Sequence, residues 1–223
     1  MSLHDEVKVR CKKCGGETTA ECWTSLDSNI DTDGRDRLLN GTLFTVACNK
    51  CGNEMNLCYP ILYNDMKHRA MVWLVTKKEE IEKTALYFKE SKVKIGKENQ
   101  KISEDYRQRI VTDQNHLREK AIIFDNGLDD RIIELAKFAF AGMALGKCPG
   151  DKIADIFFAK NGDGFRFEIY TQKGNAMTGE FSKKMYDDFL SLYMKSGRSL
   201  SVNNEYIIDQ AWAADIFKDF GIK

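Results

Sequence analysis

The chain has 223 residues, room for one large domain or two small ones, and its 43% hydrophobic content is enough to build a buried core. Its 34 basic and 34 acidic residues cancel, which argues against a protein whose main task is neutralising phosphate backbones. It contains no run of about 18 apolar residues that would span a bilayer, and Met1–Glu6 is short and polar, without an apolar secretion core. A cytoplasmic protein with no membrane association is expected.

In chain order, Val7 and Val9 alternate with Lys8 and Arg10, and Thr18–Trp23 follows a turn, which predicts a hairpin over 7–23. Residues 27–41 are polar. Asp33 is placed to cap a short helix over Arg35–Leu39, stopped by Asn40-Gly41. Thr42–Ala47 reads as a strand, Asn53–Tyr59 as its return, Pro60–Asp65 as a bend and Ala70–Val75 as a central strand. Glu79–Lys89 has helical periodicity, with Ile81, Ala85 and Phe88 on one face. Lys89–Lys101 is lysine-rich and is expected to be a linker or exposed loop. Arg107–Val111 reads as a last strand of this region. A helix capped by Thr112 or Asp113 runs to Asp125 and ends at Asn126-Gly127. A second opens at Asp129, with Ile132, Ile133, Ala136 and Phe140 facing inward. Alternation over 153–160 and 165–171 around Asn161-Gly162-Asp163-Gly164 predicts a hairpin. Ala176–Phe181 adds a strand, Ser182 caps a helix through Met194, and Glu205–Phe220 is expected to be the last helix.

Seven cysteines are an odd count for a secreted disulfide framework. Four form two matching sequences, Cys11-Lys12-Lys13-Cys14-Gly15 and Cys48-Asn49-Lys50-Cys51-Gly52. Two intervening residues let both sulfurs of a pair converge on one ion, and the glycine that follows can take positive φ and turn the backbone away. Four soft thiolates in a tetrahedral shell select zinc, or iron in some settings. The expectation is one structural Zn2+ held by Cys11, Cys14, Cys48 and Cys51. With sulfur in all four positions, no opening remains for a metal-activated water. The 33 residues between Cys14 and Cys48 exceed the usual ribbon spacing, the excess being the polar stretch at 24–41. A dithiol redox site is the alternative.

Around these pairs the sequence resembles the bacterial CpXC family, named for its Cys-Pro-x-Cys knuckles. The resemblance is carried by Cys11–Gly15, Gly41-Thr42-Leu43-Phe44 leading to Cys48–Gly52, Tyr59–Met66, Met71-Val72-Trp73-Leu74, Arg109-Ile110-Val111 and Ile123–Arg131. It covers most of residues 7–140. The family's middle proline is replaced by Lys12 and Asn49; proline only stiffens such a turn. The resemblance implies the fold and a zinc, and no reaction.

Other groups have plainer readings. Asp31-x-Asp33-Gly34-x-Asp36 resembles the start of a calcium loop but lacks its bidentate glutamate, so a capping turn is favoured. Asp125, Asp129, Asp130 and Arg131 form a charged helix junction, read as capping, with acid–base work as the sharper alternative. His68 and His116 lack ligand spacing. Cys22 and Cys58 occupy similar points on the two return strands and are read as core thiols, or as a redox pair. Cys148 is a lone thiol. Trp23, Trp73, Phe44 and Tyr63 can stack on bases but suit core packing better at neutral charge. Phosphate-loop, dinucleotide and nucleophile-elbow fingerprints do not occur.

The sequence thus predicts an α+β protein: a zinc-ribbon β-rich part at 1–76, a linker and helical part at 77–148, and a C-terminal unit of β-hairpin plus helices at 149–223. The expected function is a non-catalytic protein-binding or adaptor module. A nucleic-acid-associated regulator is a second reading. An enzyme with a site between ribbon and helical part, using Asp125, Asp129, Asp130 or His68, is a third.

Overall fold

The computed structural model describes residues 2–90, 92–95, 98–101, 106–147, 149–201 and 204–220. It is α+β, as expected. The chain divides into two compact units, Met1–Ala121 and Ile122–Lys223.

The first unit is built on a five-stranded sheet of order β1-β2-β5-β6-β9. Strands β1 (Leu3–Arg10) and β2 (Glu17–Asp27) form the predicted hairpin, antiparallel with Arg10 opposite Glu17. Helix α1 (Thr32–Asn40) follows. Its cap is Asp31, not Asp33: the Asp31 carboxylate accepts the Gly34 N–H at 2.9 Å, which satisfies an N–H the helix leaves open. Gly41, at φ 86, ends it. Only Thr45–Ala47 of the expected strand pairs as β3, with β4 (Glu54–Asn56).

Residues 60–65 are not a bend. Ile61–Asp65 is β5, parallel to β2 and antiparallel to β6 (Ala70–Leu74). Pro60 stands just ahead of the strand, where its missing N–H costs no ladder bond. Ile61, Tyr63 and Asp65 are buried in alternation. Strand β9 (Arg107–Val111) lies parallel to β6, which is central as predicted. Between them run α2 (Glu80–Glu90) and a hairpin of β7 (Lys92–Ile95) and β8 (Glu98–Lys101), so the region read as a linker carries paired strands. Leu26, Leu38, Tyr63, Val72, Leu74 and Leu117 form the unit's core.

Helix α3 (Gln114–Asp125) carries the chain into the second unit. Gly127, at φ 68, terminates it, and its N–H bonds the Phe124 carbonyl at 2.9 Å. Helix α4 (Asp130–Lys147) is followed by an antiparallel meander of β10 (Ile153–Asn161), β11 (Gly164–Thr171) and β12 (Ala176–Phe181). Phe158, Phe167 and Phe181 form an aromatic core on the meander, with Phe158 and Phe181 ring centroids 5.2 Å apart. Helix α5 (Lys183–Lys195) is capped by Ser182, as predicted. The last helix, α6, begins only at Gln210 and ends at Asp219. It starts late because the Asp209 carboxylate accepts the Trp212 N–H at 2.9 Å, a capping bond that leaves Glu205–Ile208 outside.

Candidate metal centre

Each cysteine pair forms the turn of a hairpin. The first lies between β1 and β2, the second between β3 and β4, with Ala47 opposite Glu54 as Arg10 is opposite Glu17. The two turns share one hydrogen-bond pattern. Cys11 N–H bonds the Gly16 carbonyl at 2.8 Å and Gly15 N–H the Cys11 carbonyl at 2.9 Å. Cys48 N–H bonds the Asn53 carbonyl at 2.9 Å and Gly52 N–H the Cys48 carbonyl at 2.8 Å. Gly15 at φ 70 and Gly52 at φ 67 occupy the left-handed region the turn demands. Proline is dispensable here because these bonds already hold the turn.

The four predicted residues come together. Their sulfurs all lie within 4.8 Å of one another. Cys11 Sγ is 3.8 Å from Cys51 Sγ, and Cys14 Sγ is 3.6 Å from Cys48 Sγ. A tetrahedral ion with bonds of about 2.3 Å sets its sulfurs about 3.8 Å apart, whereas a disulfide needs about 2.05 Å. The arrangement therefore fits an ion bound by four sulfurs and does not fit a disulfide. Cys11 and Cys48 are buried, Cys14 is half-buried and Cys51 is exposed.

Backbone amides of Lys50 and Cys51 pull the Cys48 thiol down to about 6. At Cys14 the Gly16 amide, 3.4 Å from the sulfur, also lowers the pKa. The Cys51 thiol, burial and the remaining cysteines outweigh it and leave Cys14 raised to about 11. One thiolate is favoured; four this close are not, until a dication is present.

Two supporting groups give no signal in the sequence. The buried Thr18 hydroxyl accepts the Asn49 N–H at 3.0 Å and ties the second turn to β2. The Lys50 side chain crosses Gly16 so closely that a Cβ there would stand 3.0 Å from Lys50 Cβ. The hydroxyl two residues past Gly16 is the only hint.

The remaining candidates do other work. Asp31 caps α1, while Asp36 pairs with Arg35 at 3.1 Å and Asp33 lies 3.9 Å from Arg37, so the three carboxylates do not converge on an ion. Gly162, at φ 58, makes the β10–β11 turn. Asp129 clasps Arg131 through both oxygens, at 2.9 and 2.8 Å, and accepts the Arg131 backbone N–H at 3.1 Å, the position of a cap for α4. Arg131 also donates to the Leu200 carbonyl at 2.7 Å. His68 Nδ1 lies 2.7 Å from the Asp65 carboxylate, in the β5–β6 turn. Cys22 is half-buried, with its thiol raised by burial, and Cys58 is exposed. The expectation of two core thiols is therefore corrected: neither reaches the interior. Cys148 lies outside the described residues. Trp23, Phe44 and Tyr63 are buried, and Trp73 packs edge-on to Tyr87 at 5.4 Å. Among the described residues no helix is long and apolar enough to cross a membrane.

Fold and site together define an α+β protein carrying a four-cysteine cluster that could hold a metal ion. The chain belongs to the CpXC family, whose model, described as CpXC protein, matches residues 9–137. The match takes in both cysteine turns and all of α3 and stops within α4. No curated protein and no solved structure matches the chain.

Proposed function

We propose that this protein is a non-catalytic protein-binding or adaptor module whose fold is held by one structural zinc on Cys11, Cys14, Cys48 and Cys51. The sulfur geometry carries the metal part: spacings of 3.8 and 3.6 Å suit a tetrahedral zinc, and sulfur occupies every corner. Neutral overall charge and the absence of catalytic fingerprints support a binding role. Elemental analysis of protein purified without chelator is expected to give about one zinc per chain, with those four thiols protected from alkylation. Absence of metal with all four thiols free overturns the metal reading. Recovery of a defined protein by pull-down from native cells, unaffected by nuclease, supports the adaptor role.

A second reading, nucleic-acid association, is favoured by one observation. Lys12, Lys13 and Lys50 are exposed on the two cysteine turns, next to Arg10. DNA retention that falls steeply with salt, and is lost in a triple Lys→Ala variant, would support it over the adaptor reading.

A further inference from the structure

The outer edge of the first unit's sheet is unusual. Strand β1 has eight residues, all exposed except half-buried Val9, and pairs on one side only. Leu3 is 53% and Val7 42% exposed. Such an edge offers a row of open peptide groups for another strand. Their direction follows from the register. Cys11 N–H bonds the Gly16 carbonyl, and antiparallel ladders bond at alternate pairs. Val9, Val7 and Asp5 thus turn their peptide groups toward β2, whereas Arg10, Lys8, Glu6 and His4 turn theirs outward.

The charges along this edge are divided. Asp5 and Glu6 precede Val7; Lys8 and Arg10 follow it. Glu6 stands opposite Glu21 in β2, and Glu21 is already held by Arg37 at 2.6 Å and His4 at 3.1 Å. Neither Glu6 nor Lys8 has an ion pair among the described residues. A strand of the same charge order, running antiparallel, would complement this edge, and a second β1 related by a two-fold axis is such a strand.

We propose that the protein forms a homodimer by antiparallel pairing of β1 with β1 of a second copy, the axis passing through Val7. In this register Glu6 faces Lys8 of the second copy, His4 faces Arg10, and Val7 faces Val7. All outward peptide groups from His4 to Arg10 then meet partners, because the paired residues are those that point away from β2. Neighbouring registers that keep this bonding are worse: centring on Glu6 sets Glu6 against Glu6, and centring on Lys8 sets Lys8 against Lys8. The two five-stranded sheets become one continuous sheet. The pairing is independent of the metal and of the binding role proposed above.

Sedimentation of the full chain across a concentration series tests this. The mass is expected to rise from the 25.5 kDa of one chain to twice that value. Glu6→Lys and Lys8→Glu each set like charges across both symmetric pairs and are expected to weaken the dimer about tenfold. The Glu6→Lys/Lys8→Glu double variant restores opposite charges and is expected to return to within about threefold of the native constant. Lys8→Pro removes one outward N–H and leaves the bonds to β2 intact, so it should be monomeric with an unchanged circular dichroism spectrum. A chain that stays monomeric throughout overturns the proposal. So does a dimer indifferent to these changes, or one that the double variant fails to rescue.

Discussion

At the scale of single residues, the cysteine spacing was enough to identify the cluster. Two Cys-x-x-Cys-Gly sequences dictate two equivalent turns, and the turns bring the sulfurs to within 4.8 Å of one another. What surrounds the sulfurs was not legible. Thr18 and Lys50 act across the gap between hairpins, and a contact set by tertiary packing leaves no local pattern. Cys22 and Cys58 mislead for the same reason: matched sequence offsets imply matched environments only if the two hairpins are equally long, and β4 has three residues where β2 has eleven. The Cys48 thiol is drawn down by two backbone amides. Cys48→Ser is expected to lower the metal content from about one per chain to a small fraction and to reduce the melting temperature by several degrees. Cys58→Ser, at an exposed thiol, should leave both unchanged. Equal melting curves for Cys48→Ser and the native protein would show that no metal stabilises this fold.

At the scale of elements, caps and alternation were legible where a local signal dominates. Ser182, Gly41 and Gly127 sit where a helix must start or stop. Pro60 and the pair Asn64-Asp65 were misleading, because they are loop-formers by composition. The half-buried Asn64 and buried Asp65 side chains find partners that only the fold supplies: Asn64 donates to the Asp27 carboxylate at 3.0 Å, and Asp65 bonds His68. A comparable long-range contact lies in the meander. Gly179 in β12 stands opposite Phe167, and the Phe140 ring of α4 covers it, packing 5.3 Å from Phe167. A Cβ at Gly179 would stand 1.8 Å from Phe140 Cζ. Gly179→Ala must displace the ring and is expected to cost about 1–3 kcal/mol, read as a lower urea midpoint at constant slope. The Phe140→Ala/Gly179→Ala double variant should cost less than the sum of its parts, since the clash is gone. Additive costs would mean that the ring and the glycine are not in contact.

For the whole molecule, the two units differ in what holds them. In Ile122–Lys223 a phenylalanine-rich meander packs with α4, and a buried Glu134–Lys137 pair at 3.0 Å is completed by Gln210, which donates to Glu134 at 2.6 Å. The β3–β4 hairpin, by contrast, has three-residue strands, and a two-stranded pair of that length is marginal in water. Among the described residues it is tethered to β1–β2 by the sulfur cluster, by the Asn49 N–H donated to the Thr18 hydroxyl at 3.0 Å, and by Lys50 packed over Gly16. An ion there closes the chain between Cys14 and Cys48 and so acts as a cross-link, stabilising by restricting the unfolded chain. Chelation should therefore have a localised effect. Hydrogen exchange after metal removal is expected to show protection of Thr45–Asn56 falling to nearly that of an open chain, while β10, β11, β12 and α5 keep theirs. Opening free energies are rarely uniform across a protein, and the segment with the fewest buried contacts goes first. Uniform loss of protection would make the ion a keystone of the entire chain, and unchanged protection at Thr45–Asn56 would mean that backbone bonds alone hold the cysteine turns.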